Sequence, residues 1–371
     1  MGPPGVVDPA GASVRSGPPG GAGASGPDGP RGFDGPVRES CRSGSVLICP
    51  PYPVGRTAKP PARLLPMARP KVPVVAVVGA TASGKTELSL DLAQRLGGEV
   101  VNTDAMQVYR GMDIGTAKLP AAERRGIPHH LLDLLDVTEP ATVAEFQAMA
   151  RSVVDDCRER GVTPVLVGGS ALYTRAVLDR FEFPGTDPEL RAQLEQQLAD
   201  LGVEALHGRL RDLDPAAAAR IEPRNGRRIV RALEVIALTG RPFSASLPER
   251  RYVYDRVVQV GVRIPRPVLD ERIEARVRRM WQLGFVDEVH RLAGLGLREG
   301  RTANRALGYQ QVLAFLDGGL TEQQAFVATV AGTRRFARRQ EAWFTKDPRI
   351  RWVDWDDPGR VDRAVEACTA R

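Results

Sequence analysis

The chain has 371 residues, 42% of them hydrophobic, with 52 Lys and Arg against 45 Asp and Glu and a net charge of +7. That length allows about two domains with a real core, and the basic balance permits a polyanionic partner without requiring one. No apolar run reaches the ~18 residues of a membrane span, and four scattered cysteines (Cys41, Cys49, Cys157, Cys368) form neither a disulfide framework nor a zinc pattern, so the setting expected is reducing and cytoplasmic.

Residues 1–70 are a different material from the rest: they hold 13 Gly and 15 Pro, against 25 and 15 in the remaining 301 residues, and no periodic apolar pattern. Such a segment cannot bury enough surface to offset its chain entropy, so a disordered leader is expected. Its Gly-Pro pairs follow no strict triplet, and it has no secretory h-region. Met67 lies just upstream of the first strand, and a chain starting there would lose nothing recognisable.

The strongest motif follows at once. Val74–Val78 is a β-branched run that predicts a buried strand. Gly79, Ala80, Thr81, Ala82, Ser83, Gly84, Lys85 and Thr86 then fit G-x-x-x-x-G-K-[ST], and helical spacing continues from Glu87 to Ala93. In this context backbone N–H groups cradle phosphate oxygens at a helix N-terminus, with Lys85 as a point charge and Thr86 as a hydroxyl for Mg²⁺. The loop implies a bound phosphate chain without saying which.

A second strand is predicted over 98–103, ending at Asp104, where catalytic groups of open α/β sheets gather; capping of a following helix, or holding Mg²⁺ through water, is the plainer role for that carboxylate. The glycine-punctuated stretch 111–118 carries little independent meaning. His129 and His130 are adjacent and point in different directions on any regular element, which argues against joint metal binding. A third strand, 163–167, runs into Gly168-Gly169-Ser170, another strand-to-glycine turn opening a helix on the same sheet edge.

Residues 186–247 read as an inserted helical segment, with helices opening at Asp187-Pro188 and Asp214-Pro215 and a third over 227–239 closed by Gly240. Between 220 and 251 stand eight Arg and three Glu, clustered rather than alternating. Residues 257–262 read as a strand. Leu269, Ile273, Val277 and Trp281 then make an i+4 stripe, beside which Arg272 and Arg276 lie one turn apart, in reach of a shared anion. The run 334–340 is basic on two faces with Phe336 between, which suits either a solvated helix or one lying along a nucleic-acid backbone.

In order along 74–345, these blocks resemble the tRNA dimethylallyltransferases, also called tRNA isopentenyltransferases, of bacterial type. The resemblance rests on the loop 79–86; Asp104 with 108–118; Pro128-His129-His130-Leu131-Leu132-Asp133; 168–173; 228–235; 272–276; Gly308-Tyr309; and 337–343. Ser170 stands where the family has Thr, and Arg227-Arg228 where it has Gln-Arg; the zinc finger of eukaryotic relatives has no counterpart in this sequence.

The resemblance implies a P-loop-like parallel α/β sheet flanked by helices, with a catalytic core of 71–185 and 248–371 and a tRNA-binding insert at 186–247. It implies transfer of a dimethylallyl group from dimethylallyl diphosphate to N6 of adenine 37 in the anticodon loop of tRNAs reading codons that start with U; separately, a monomer is expected, although the sequence does not reveal the oligomeric state. Lys85, Thr86, Mg²⁺ and Arg276 would spread charge on the leaving diphosphate, the loop serving pyrophosphate release rather than ATP hydrolysis. Asp104 would take the amine proton, and the adenine must leave its stack to reach the site. tRNA contacts are implied at Asp104, Ala105, Met106, Gln107, Ser170, Arg191, Arg227, Arg228, Ile229, Val230, Arg231, Arg305, Gly308, Tyr309, Arg334, Arg338 and Arg339, within the family's stretches 305–310 and 333–340. Two alternatives share the loop: an isopentenyltransferase acting on free adenine nucleotides, against which the basic insert argues, and a small-molecule kinase.

Overall fold

The computed structural model describes residues 72–181, 183–246 and 250–370; the leader expected to be disordered lies outside them. Six parallel strands form one sheet: β1 (Val74–Val78), β2 (Gly98–Asn102), β3 (His129–His130), β4 (Thr163–Val167), β5 (Val257–Arg263) and β6 (Ile350–Asp354), in the order β3-β2-β4-β1-β5-β6. Every pairing is parallel, as the resemblance implied. Such sheets are covered on both faces, so their strands are near-continuous apolar runs, and all five residues of β1 are fully buried.

Alternation sorts that strand between two layers. Val75 and Val77 pack with α1 (Lys85–Leu96) and α11 (Arg360–Thr369). Val74, Ala76 and Val78 face α2 (Val143–Glu159), α3 (Ala171–Leu178), α8 (Phe285–Ala293) and α9 (Tyr309–Leu316). The two edge strands go beyond the three strands and the later one read from the sequence: β3 is two residues long and β6 is Ile-Arg-Trp-Val-Asp, so neither carries a sustained apolar run.

Between α3 and β5 the chain forms α4 (Pro188–Leu213), bent at Gly202 (φ 82°), α5 (Pro215–Arg220) and α6 (Gly226–Thr239). Leu194, Leu206, Leu210, Ile229 and Leu233 build a cluster of their own here. Asp187 caps α4 by accepting from the N–H groups of Glu189 and Leu190 at 2.9 and 3.0 Å, and Asp214 caps α5 through Ala217 N–H at 2.9 Å. The Asp-Pro pairs are thus helix starts, as their spacing predicted.

Beyond β5, α7 (Arg266–Gln282) buries Leu269, Ile273, Val277 and Met280. Trp281, expected at the end of that stripe, sits at its edge against Phe285 and Phe326. A 23-residue helix, α10 (Glu322–Phe344), packs along α7 and α9 and brings the basic run to the carboxyl end of the sheet.

Candidate active site

The phosphate-type loop joins β1 to α1. Its turns require left-handed backbone at Gly79 (φ 143°), Ala82 (φ 62°) and Gly84 (φ 100°). Ala82 carries this without being glycine. Lys85 Nζ donates to the Ala80 carbonyl at 2.6 Å. Burial, reinforced by Arg276 and opposed by Asp104, pushes the Lys85 ammonium down to about 7. Arg276 is likewise lowered by burial, while Asp104 favours its charged form. Three charged groups from separate parts of the chain therefore converge. Arg272 joins them: with Ala82, Gly84, Lys85, Thr86, Ala275 and Arg276 it lines an open cavity of about 360 Å³, its guanidinium 5.2 Å from the Trp355 ring centre. The two arginines one turn apart do face a common space.

Asp104 follows the end of β2, and no helix begins there for it to cap. Its Oδ1 accepts from Met106 N–H at 2.9 Å, a local turn. Its backbone is held by Asn102, a residue that no sequence motif singles out. Asn102 Oδ1 accepts from Asp104 N–H at 2.8 Å, and Nδ2 donates to the carbonyls of Asp104 and Leu131 at 3.1 and 3.0 Å.

Asp104 opens onto a larger cavity of about 500 Å³. One end is Thr81, Lys85, Thr86 and Arg276; the walls include Ala105, Met106, Gln107, Thr116, Gly169, Ser170, Gly308 and Tyr309; Arg305, Gln310, Phe336 and Arg339 line it as well. His129 also lines it, whereas His130 turns the other way to bond Glu99 at 2.8 Å. Gly168 and Gly169 are required by close approach: a Cβ on them would fall 2.3 Å from Thr103 Oγ1 and 2.2 Å from Gln340 Nε2.

Two buried groups shape this cavity: Glu288 carries no sequence signal, and Gln340, which lies in the stretch the resemblance assigns to tRNA contact, is turned inward and 5% exposed. Glu288 accepts from the N–H groups of Asp113, Ile114 and Gly115 at 3.1, 2.7 and 3.2 Å, and from the Tyr309 hydroxyl at 2.6 Å. Gln340 bridges the phosphate-type loop to Gly169. The loop 111–118 also has more meaning than its glycines convey: buried Lys118 donates to Asp113, Asp133 and the Tyr109 carbonyl at 2.7, 2.6 and 2.8 Å.

The other expected RNA-facing residues divide by exposure. Arg227, Arg228, Arg305, Arg338 and Arg339 are exposed. Arg191 and Arg231 ion-pair with wholly buried Glu234 at 3.3 and 2.8 Å, and Arg334 with Glu274 at 2.9 Å. Ile229 and Val230 must be corrected: their side chains lie in the apolar cluster of α4, α5 and α6, 0% and 1% exposed, because the apolar face of α6 packs inward. The Tyr309 ring is also buried, meeting Phe285 edge-on.

Among the described residues, Glu99, His130 and Cys157 form the one cluster with metal-ligand types close together. Arg160 occupies Glu99 with two bonds of 2.8 Å and holds its carboxyl down to about 2, while burial pushes the Cys157 thiol up to about 12. In this structure Glu99 is therefore engaged in an ion pair with Arg160.

A parallel sheet with this loop at the end of a central strand defines a protein of the P-loop class. The family model for IPP transferase matches residues 107–347. Curated proteins described as tRNA dimethylallyltransferase match over nearly their whole length: that of Nocardioides is 66% identical over 300 residues, 81% of this chain and 97% of its own, and that of Kineococcus radiotolerans is 60% identical over 308, again 81% and 97%. Among solved structures, the full-length tRNA isopentenylpyrophosphate transferase of Bacillus halodurans is 39% identical, with a TM-score of 0.58 over 80% of this chain and 99% of that one. A eukaryotic dimethylallyltransferase acting on tRNA is 26% identical, with a TM-score of 0.68 over 79% and 76%. The chain belongs to the IPP transferase family.

Proposed function

We propose that this chain transfers a dimethylallyl group from dimethylallyl diphosphate to N6 of adenine 37 in the anticodon loop of tRNAs reading codons that begin with U, giving N6-(dimethylallyl)adenosine and diphosphate. One observation carries the reading beyond family membership: a single cavity joins the phosphate-type loop, Asp104 and the basic residues Arg305 and Arg339. A diphosphate ester held at one end and a base entering from the other would meet at Asp104.

In this reading the diphosphate lies over the loop between Lys85 and the pair Arg272 and Arg276. The N6 lone pair attacks the allylic carbon, the carbon–oxygen bond breaks, and its electrons leave with the diphosphate. Lys85 and Arg276 stabilise that developing charge in a partly desolvated site. Asp104 accepts the N6 proton, its carboxylate aimed by the Asn102 clamp on its backbone. The exposed Thr86 hydroxyl fits an oxygen ligand for Mg²⁺, which would supply further neutralisation of the leaving group.

Arg227, Arg228, Arg338 and Arg339 would grip the anticodon stem-loop through its phosphates. The chain is taken to act as a monomer. No described helix is long and apolar enough to cross a membrane. The test is product analysis: nuclease digestion of tRNA incubated with the protein and dimethylallyl diphosphate yields N6-(dimethylallyl)adenosine at position 37. Unmodified tRNA from a catalytically competent preparation contradicts the proposal.

A further inference from the structure

Gln340 lies on α10 at the point where the loop and the glycine turn after β4 meet, and it is 5% exposed. Its Oε1 accepts from Thr81 N–H at 2.8 Å, and its Nε2 donates to the Gly169 carbonyl at 2.9 Å. One end can only accept and the other only donate, so the side-chain orientation is fixed by its two partners. The fit is close, since even a methyl on Gly169 would fall 2.2 Å from Nε2.

Thr81 is the third residue of a loop whose backbone N–H groups ordinarily face phosphate oxygens. The two cavities divide that loop. Ala82 and Gly84 line only the smaller one, beside Arg272; Thr81 lines only the larger one; Lys85, Thr86 and Arg276 stand at the junction. A diphosphate seated in the smaller cavity has amides, two arginines and a lysine around it. A third phosphate standing where the ester carries its hydrocarbon tail would extend into the larger cavity beside Thr81. There the loop's amide is already taken, and the group that takes it presents a carbonyl oxygen, an acceptor that repels a phosphate oxygen. A hydrocarbon tail loses nothing by the arrangement, because it needs no donor.

We infer that Gln340 is a specificity residue: by occupying the Thr81 N–H, it restricts a loop of the kind that holds triphosphates to diphosphate ligands. The inference rests on the proposed seating of diphosphate at the loop. Freeing an amide to donate to a charged phosphate oxygen changes affinity by roughly tenfold or more, which sets the scale of the effect.

The experiment is calorimetric titration of the full chain with inorganic pyrophosphate and with tripolyphosphate at fixed Mg²⁺, for wild type, Gln340→Met and Gln340→Glu, each checked by thermal melting. Wild type prefers pyrophosphate. Gln340→Met, which keeps the bulk but removes the acceptor, narrows the preference by roughly tenfold. Gln340→Glu keeps an acceptor for Thr81 and adds negative charge beside the third-phosphate position, so its preference widens; this arm overturns the inference if the ratio narrows or stays unchanged, even if the Met variant does not fold. A purely structural role would weaken both ligands alike and leave the ratio unchanged in the Met variant, which also overturns the inference. Failure of wild type to bind pyrophosphate at all overturns the seating on which the inference stands, a separate and recognisable result.

Discussion

The side-chain amide of Asn102 holds both backbone groups of Asp104, accepting from its N–H at 2.8 Å and donating to its carbonyl at 3.1 Å. A third bond, to the Leu131 carbonyl at 3.0 Å, ties this clamp to the loop after β3. The backbone that carries the carboxylate is therefore positioned by Asn102, while Met106 N–H, at 2.9 Å, holds the carboxylate itself. Asp104→Asn is expected to cut the transfer rate by about 10²-fold or more, the range of general base catalysis. Asn102→Ala is expected to lower kcat by about ten- to a hundredfold through displacement. tRNA affinity changes much less in both. Near-normal turnover of Asp104→Asn would return that residue to a turn-forming role.

The Lys85 ammonium is lowered to about 7 from an ordinary 10.5. Between those values the unfolded chain binds more protons than the folded one, so this group makes folding stability rise with pH across that window. A bound anion favours the charged form. Pyrophosphate binding near pH 8 should then draw close to one proton onto the protein, and this uptake should fade below about pH 6. Calorimetry in two buffers of different ionisation enthalpy measures it, with Lys85→Met correcting for the ligand's own titration. Equal proton uptake in wild type and variant would mean that Lys85 is already charged before the anion arrives.

The arginines of α4 and α6 have separable tasks. Arg191 and Arg231 neutralise Glu234, which is 0% exposed, whereas Arg227 and Arg228 are exposed on the first turn of α6. Replacing Arg227 and Arg228 with Ala should flatten the salt dependence of tRNA binding by roughly one log–log unit for each phosphate that is no longer neutralised. Arg276→Ala should leave that slope unchanged and lower the rate at saturating tRNA. A salt series on both variants decides, and a reversed pattern would mean that tRNA docks on a different face.

Glu288 is 5% exposed and gathers three backbone N–H groups and a tyrosine hydroxyl. Truncation to Ala leaves those donors buried and unpaired, at about 1–3 kcal/mol each before relaxation. A loss of about 3–5 kcal/mol overall is expected in chemical denaturation. Glu288→Gln, which retains one acceptor oxygen, should recover part of it. A loss below about 1 kcal/mol would show that water or backbone rearrangement replaces the carboxylate.

Much of this architecture is legible in local residue patterns. The loop 79–86, the apolar strands and the Asp-Pro helix starts each declare themselves within a few residues. Helical spacing alone puts Arg272 and Arg276 on one face, and both line the loop's smaller cavity. What is not legible depends on distant partners. Gln340 sits in a basic run whose charged residues dominate the pattern, while its two hydrogen bonds cross 259 and 171 positions of sequence. Glu288 bonds backbone more than 170 positions away. Ile229 and Val230 belong to a contiguous stretch that the resemblance assigns to an RNA surface; the 3.6-residue period of α6 turns them inward while Arg227 and Arg228 face out.

The most direct test of the proposed transfer is incubation of the protein with isotopically labelled dimethylallyl diphosphate and, in parallel, bulk unmodified tRNA, AMP or no acceptor. The predicted result is label in tRNA alone, abolished or strongly reduced by Asp104→Asn. Label in AMP but not in tRNA, or none in any acceptor while the protein phosphorylates a small molecule from ATP, would contradict it.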